Sequence, residues 1–258
     1  MRGNVNAKGL DLAARMDGPE TGPPVVLLHA LGLDGSVFDE LVMHFPNHRI
    51  LRPDLRGHGR SPAPEGPYAM GKLIGDVERC METHMMAEAV VIGLSLGGMI
   101  AQGLAVKRLD LVRGLILSGT AAKFGQPEPW HTRAKTVRTR GMRALAPEIL
   151  TRWTPLGPHD AAIDAQLRAT NPEGYAATCE AIAGTDFYTP TSGLRLPTLG
   201  LCGNLDGSTP PDLVRETTEL VPGSDFHLIR GAGHLAPLTH AADVAAHVRA
   251  FLARIGHV

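Results

Sequence analysis

Apolar residues in this chain fall into short unbroken blocks. Val25-Val26-Leu27-Leu28 follows Gly22-Pro23-Pro24, and Ala89-Val90-Val91-Ile92, Leu115-Ile116-Leu117 and Thr198-Leu199-Gly200-Leu201 repeat the form. A strand with one wet face alternates with period two, so blocks without alternation predict strands buried on both faces, as in a parallel sheet. Ile50-Leu51 and Phe226-His227-Leu228-Ile229 predict two shorter strands. Between blocks, apolar positions recur at helical spacing over Leu73 to Met86 and Ala241 to Ile255. Strands alternating with helices predict a mostly parallel sheet with helices on both faces.

From about Ala122 to Pro190 the pattern changes. Leu145, Ile149, Leu150 and Trp153 keep helical spacing, Pro147, Pro155, Pro158 and Pro172 cut the segment, and no strand-like block occurs. Residues 122–190 therefore read as a helical cap subdomain inserted into a core of residues 1–121 and 191–258. Without clear linkers, the insertion is not expected to fold alone.

Composition narrows the partners. The 258 residues carry a formal net charge of −1, with 43% hydrophobic and 20% charged residues. No basic excess draws in nucleic acid or anionic lipid, so a small molecule is the expected partner. Met1-Arg2-Gly3-Asn4 opens no apolar leader, and no apolar run is long enough to span a membrane, so a cytoplasmic protein is expected. Cys80, Cys179 and Cys202 are odd in number and widely spaced, which fits free thiols better than a disulfide framework or metal knuckle.

The first chemistry-bearing motif is Gly93-Leu94-Ser95-Leu96-Gly97, directly after one apolar block and before a helical stretch. Strand, tight turn and helix in that order form a nucleophile elbow, which lifts the Ser95 hydroxyl clear of the sheet at a helix N-terminus. His29-Ala30-Leu31-Gly32 follows the Val25 block. The backbone N–H groups of Leu31 and Leu96 are the expected oxyanion hole. His29 either hydrogen-bonds its own loop or touches substrate.

His234, in Gly231-Ala232-Gly233-His234 after the last strand, is the expected general base. Asp206 follows the Thr198 block and is the expected acid that orients the imidazole; Asp212 and Asp225 are alternatives. In Asp54-Leu55-Arg56-Gly57-His58-Gly59, Asp54 and Arg56 are expected to tie loops together beneath the nucleophile, with His58 outside the chemistry. No ligand cluster or phosphate-binding glycine loop suggests a metal or organic cofactor.

These residues together resemble the α/β-hydrolase superfamily across essentially the whole chain. Within the cap, Gly119-Thr120-Ala121-Ala122-Lys123-Phe124-Gly125, Pro129-Trp130-His131-Thr132-Arg133, Arg140-Gly141-Met142, Arg152-Trp153-Thr154-Pro155 and the run from Pro172 to Cys179 look like 3-oxoadipate enol-lactonases. Gly66-Pro67-Tyr68 and Leu94 to Met99 fit as well. Two positions depart: His234-Leu235-Ala236-Pro237 stands where such lactonases tend to read His-Leu-Ser-Asn, and His29-Ala30 where they often have Asn-Ser.

The resemblance implies a five-membered enol-lactone bearing a free carboxylate, opened to 3-oxoadipate through an acyl-enzyme without a cofactor. A carboxylate asks for a cation. Arg133, one helical turn from Trp130, is expected to grip it while the indole walls the pocket; Arg138, Arg140 and Arg143 are alternatives. The rival readings are another hydrolase on this scaffold (neutral lactonase, carboxylesterase, C–C hydrolase or perhydrolase) and a ligand receptor with vestigial turnover.

Overall fold

The computed structural model describes residues 10–154 and 160–258. Met1-Arg2-Gly3-Asn4 and the prolines Pro155 and Pro158 lie outside the described residues. Seven strands, β1 (Ala14–Asp17), β2 (Pro24–Leu28), β3 (Arg49–Pro53), β4 (Ala89–Leu94), β5 (Val112–Ser118), β6 (Thr198–Gly203) and β7 (Asp225–Ile229), form one sheet in the order β1-β3-β2-β4-β5-β6-β7. Among the described residues, only the β1–β3 pairing is antiparallel.

Each apolar block became a strand. Every residue of β4 and β6 is buried, as continuous apolar runs require when helices cover both faces. The strand that sequence reading did not anticipate is β1. Its residues are Ala-Arg-Met-Asp and mostly half-buried, so no apolar block announced it; its register along β3 comes from backbone pairing at the sheet edge.

The helices preceding the cap are α1 (Asp39–Val42), α2 (Met70–Thr83) and α3 (Leu96–Lys107). Between β5 and β6 come α4 (Pro127–Arg140), α5 (Met142–Trp153), α6 (Ala161–Ala169), α7 (Pro172–Ala183) and α8 (Tyr188–Ser192). The chain closes with α9 (Pro211–Glu219), α10 (Ala236–Thr239) and α11 (Ala241–Arg254). Two prolines behave differently from one another. Pro172 starts α7 behind Asn171, whose side chain accepts the Gly174 N–H, an ordinary use of proline at a first helical position. Pro147 was expected to cut the cap but lies inside α5, which continues through it. The helix gives up the one amide bond that a proline cannot donate.

Nearly every residue of α3 is buried, between the sheet and the helices above it. Gln102 on α3 donates to the Ala121 carbonyl at 3.3 Å and accepts from the Thr191 hydroxyl at 3.0 Å, fastening α8 and the end of β5 to the core. Strand order reverses between β2 and β4: β3 lies on one side, β5 to β7 on the other. Loops after these two strands flank a crevice at the sheet's carboxyl edge, where open α/β sheets bind ligands. Among the described residues no helix is long and apolar enough to cross a membrane.

Candidate active site

Ser95 ends β4 and opens α3 with φ 55° and ψ −115°, a conformation few non-glycine residues adopt. A Cβ at Gly93 would lie 2.4 Å from the Gly97 carbonyl oxygen, and one at Gly97 would lie 2.0 Å from that of Leu28. The two glycines are thus steric requirements of the turn. Hydrogen bonds stabilise the strained geometry: Ser95 N–H donates to Ser118 at 2.9 Å, and the Ser95 carbonyl accepts from Gly98 N–H at 2.9 Å and the Thr120 hydroxyl at 2.6 Å.

Across the crevice, the loop after β2 turns at Ala30, whose carbonyl accepts the Leu33 N–H at 3.2 Å. The Thr170 hydroxyl of the cap donates to the Gly32 carbonyl at 2.7 Å and holds this loop from above. Among the described residues, the backbone N–H groups of Leu31 and Leu96 donate to no backbone carbonyl. Two uncommitted donors on facing loops are what an oxyanion hole needs.

His29 does not line the cavity, which corrects its reading as a substrate contact. Its Nε2 lies 2.8 Å from the Leu55 N–H and must accept that bond, so Nδ1 carries the proton and donates to the Ala30 carbonyl at 2.8 Å. The ring is fully buried, and burial pushes its pKa down. It ties the loop after β2 to the loop after β3. Beneath it, Asp54 accepts backbone N–H groups from Gly35 and Arg60, and Arg56 forks onto Asp76 of α2 at 2.6 and 2.8 Å. His58 packs 5.4 Å from His29, donates from Nδ1 to the Arg56 carbonyl, and has its pKa lowered by burial to about 3.

The loops after β6 and β7 bring Asp206 and His234 together. Asp206 Oδ2 accepts from His234 Nδ1 at 2.8 Å, with both side chains almost completely buried. The other oxygen accepts the Ser208 and Thr209 N–H groups at 2.8 and 2.9 Å, and the Thr209 hydroxyl donates to Oδ2 at 2.7 Å. Burial alone would raise the pKa of this carboxyl. The His234 imidazole and the Thr209 donors outweigh burial and hold it below the usual range. The alternatives are elsewhere: Asp212 sits in the first turn of α9, and Asp225 pairs with Arg254. Gly119, at φ +48°, lies against the pair; a Cβ there would approach Asp206 Oδ2 to 3.1 Å.

Ser95, Leu31, Thr209 and His234 line one side of a cavity of about 80 Å³, and Trp130, Arg133, Arg152 and Tyr175 line the cap side. Trp130 donates its indole N–H to the Phe124 carbonyl at 2.6 Å, and the Arg133 guanidinium stacks 4.9 Å above its ring. Arg138 is spent on Glu173 and Glu180 of α7, while Arg140 and Arg143 are exposed and outside the lining. Among the described residues, no group of three or more His, Cys, Asp or Glu is placed to hold a metal.

Residues 25–247 match the model of the Alpha/beta hydrolase family. The chain belongs to that family. It is 31% identical to 3-oxoadipate enol-lactonase 2 of Acinetobacter baylyi over 72% of this chain and 73% of the relative. The enol-lactonase crystal structure from Burkholderia xenovorans LB400 superposes with TM-score 0.88 at 36% identity, covering 94% of this chain and 96% of that one. A pimeloyl-[acyl-carrier protein] methyl ester esterase of Xylella fastidiosa is 29% identical over 91% of this chain and 96% of its own.

Three residues of this alpha/beta hydrolase's site carried no assignment from sequence. Thr209 closes a turn on Asp206, which the Asp-Gly-Ser-Thr run could have announced, since an aspartate often accepts from the amides that follow it. Trp153 stacks on the His234 ring at 5.9 Å and 23°, and its carbonyl accepts the His234 N–H at 2.9 Å. Arg152 accepts the Gly207 N–H at 3.1 Å on its carbonyl while its side chain enters the cavity. The end of α5 is therefore bonded to both the acid loop and the base loop. Arg152-Trp153 stood out as lactonase-like in sequence, but helical spacing does not say which face of α5 meets those loops.

Proposed function

We propose that this hydrolase opens 3-oxoadipate enol-lactone to 3-oxoadipate through an acyl-enzyme on Ser95. One observation carries the reading: the buried Asp206–His234 pair and Ser95 share a cavity whose opposite wall presents Arg133. His234 takes the Ser95 proton as the hydroxyl attacks the lactone carbonyl. Leu31 and Leu96 N–H groups hold the oxyanion, and Asp206 stabilises the imidazolium and fixes its tautomer. The ring C–O bond breaks to release an enolate, which takes up the proton held by His234 and becomes the ketone, leaving the imidazole neutral again. Because an enolate is a good leaving group, protonation by His234 matters less here than in an alkyl ester. Water, deprotonated by His234, then attacks the acyl carbonyl and frees Ser95. Arg133, over the Trp130 ring, receives the carboxylate that the ring carries.

Likeness to the methyl ester esterase favours a second reading, a carboxylesterase acting on a longer acyl group. Two arginines on the cap side of the cavity, Arg133 and Arg152, support a carboxylated lactone over an uncharged acyl chain. Turnover measured on 3-oxoadipate enol-lactone, an acyl-homoserine lactone and p-nitrophenyl esters separates the readings. The carboxylated enol-lactone is expected to have the highest kcat/KM; preference for a long-chain ester, or tight binding with negligible turnover, would replace the assignment.

A further inference from the structure

The cap side of the cavity holds more positive charge than its partners neutralise. Arg133 and Arg152 both reach Glu148 Oε1, at 3.9 and 3.2 Å. Glu148 is 63% exposed, so its pairing is screened and readily exchanged. Arg133 has other contacts: it stacks on Trp130 and lies close enough to the buried Tyr175 to act on its hydroxyl electrostatically. Arg152 has fewer. Its Nε–H is buried and has no hydrogen-bond partner. Its main chain is fixed, because the Arg152 carbonyl accepts from Gly207, the residue after Asp206, and the Trp153 carbonyl accepts from His234. The Arg152 backbone therefore stands at a set offset from the Asp206–His234 pair, and its side chain lines the cavity beside them. Two cations that line one cavity and share a single exposed carboxylate are a site organised for an anion.

From this geometry we infer that Arg152 is the residue that selects substrates bearing a free carboxylate a few atoms from the scissile carbonyl, and that Glu148 is the counter-ion this carboxylate displaces. The inference deepens the proposed function and rests on its reading of this cavity as the substrate site. It shifts the primary contact from Arg133 to Arg152. The substrate carboxylate takes two terminal N–H groups of Arg152, which lines the cavity, with Arg133 adding charge from the Trp130 face. Lysine, a point charge without that fork, cannot reproduce the contact. Burial and the neighbouring Arg133 both disfavour a lone charge on Arg152, so an incoming anion gains where water would not.

The test compares mono-p-nitrophenyl glutarate with p-nitrophenyl valerate, which share an acyl length and differ by the carboxylate. The quantity read is the ratio of their kcat/KM values. Arg152→Gln is expected to lower the ratio tenfold or more, mainly through KM for the glutarate ester, and Arg152→Lys to recover only part of it. Glu148→Gln, which removes the competitor, is expected to raise the ratio several-fold. Unchanged ratios in Arg152→Gln, full rescue by lysine, or a fall with Glu148→Gln would overturn the inference. Calorimetric titration of Ser95→Ala protein with glutarate gives a readout without turnover. Binding that weakens with added Arg152→Gln and tightens with added Glu148→Gln supports the inference, and binding indifferent to both overturns it. Neither measurement uses the enol-lactone, so failure of the lactonase reading and failure of this one are separable.

Discussion

The two walls of the cavity are built on opposite principles. On the sheet side the framework is committed, with the Leu31 and Leu96 N–H groups left open: Asp206 accepts four hydrogen bonds, His29 uses both ring nitrogens, and the Ser95 backbone is anchored on both sides of its strained turn. On the cap side, two arginines share one exposed glutamate, and a buried N–H is unmatched. Chemistry needs fixed donors and acceptors before the substrate arrives, because reorganising them during reaction raises the barrier. Recognition needs valences left open for the ligand to fill. A wall with a fixed framework and a wall with charge to spare, on opposite sides of a cavity of about 80 Å³, divide holding the reacting groups from holding the ligand.

Breaking the committed wall is expected to produce the largest effect. Asp206→Asn keeps the shape but turns the carboxylate into an amide that no longer fixes the His234 tautomer. A fall in kcat of about 10,000-fold is expected on every ester, carboxylated or not. Steady-state kinetics on the glutarate and valerate esters read this directly, and a loss confined to one ester would place Asp206 in recognition instead.

Opening the cap wall should cost less and cost it selectively. Arg133→Ala is expected to raise KM for the carboxylated enol-lactone about tenfold, with a much smaller change for a neutral ester. Equal effects on both would remove Arg133 from carboxylate recognition. Trp153 lies where the walls meet, with its ring on His234 and its carbonyl on the His234 N–H. Trp153→Leu keeps the backbone bond and loses the stack. A drop in kcat of roughly threefold to tenfold is expected for both ester types, recovered by Trp153→Phe, since an aromatic pair contributes about 0.5–1.5 kcal/mol. An effect on KM alone would make Trp153 a pocket wall rather than a positioning residue.

Much of the committed wall was legible in the chain because it is made from backbone demands. The block Val90-Val91-Ile92 followed by Gly93-Leu94-Ser95-Leu96-Gly97 has few conformations open to it, and the elbow is one. Asp206 and His234 were legible as residues that follow strands, a property of chain order. The cap wall was legible only in part. Trp130 and Arg133 were found through the lactonase-like Trp-x-x-Arg pattern, whose spacing puts them on one helical face, whereas Arg152 depends on how α5 docks against the loops after β6 and β7. His29 was ambiguous for the converse reason. A histidine after β2 looks the same in sequence whether its ring points at the substrate or, as here, across to Leu55. Pro147 misled because proline breaks most helices, yet α5 runs through it. Strand β1 was missed because half-exposed polar strands leave no apolar block.

The smallest expected effect lies below the committed wall and touches stability rather than turnover. His58 has a folded pKa of about 3 against an ordinary 6.5, lowered by burial and by its neighbour His29. Below pH 6.5 the unfolded chain binds a proton that the folded one refuses, so the stability gained from a neutral His58 is present above 6.5 and declines as pH falls toward 3. Chemical denaturation at pH 7, 6 and 5 should show this as a slope. His58→Gln is expected to reduce that slope below pH 6 by about 1.4 kcal/mol per unit. An unchanged slope would mean that His58 is protonated in the folded protein.

The central claim is that Ser95 is the nucleophile that opens the lactone. Hydrolysis of 3-oxoadipate enol-lactone by the native chain and by Ser95→Ala, each with its thermal melting curve, tests it most directly. The account predicts turnover by the native chain, a loss on the order of 10,000-fold or more in the variant, and melting temperatures that agree. Lactone opening that survives Ser95→Ala, or a native chain that does not open the lactone, would contradict it.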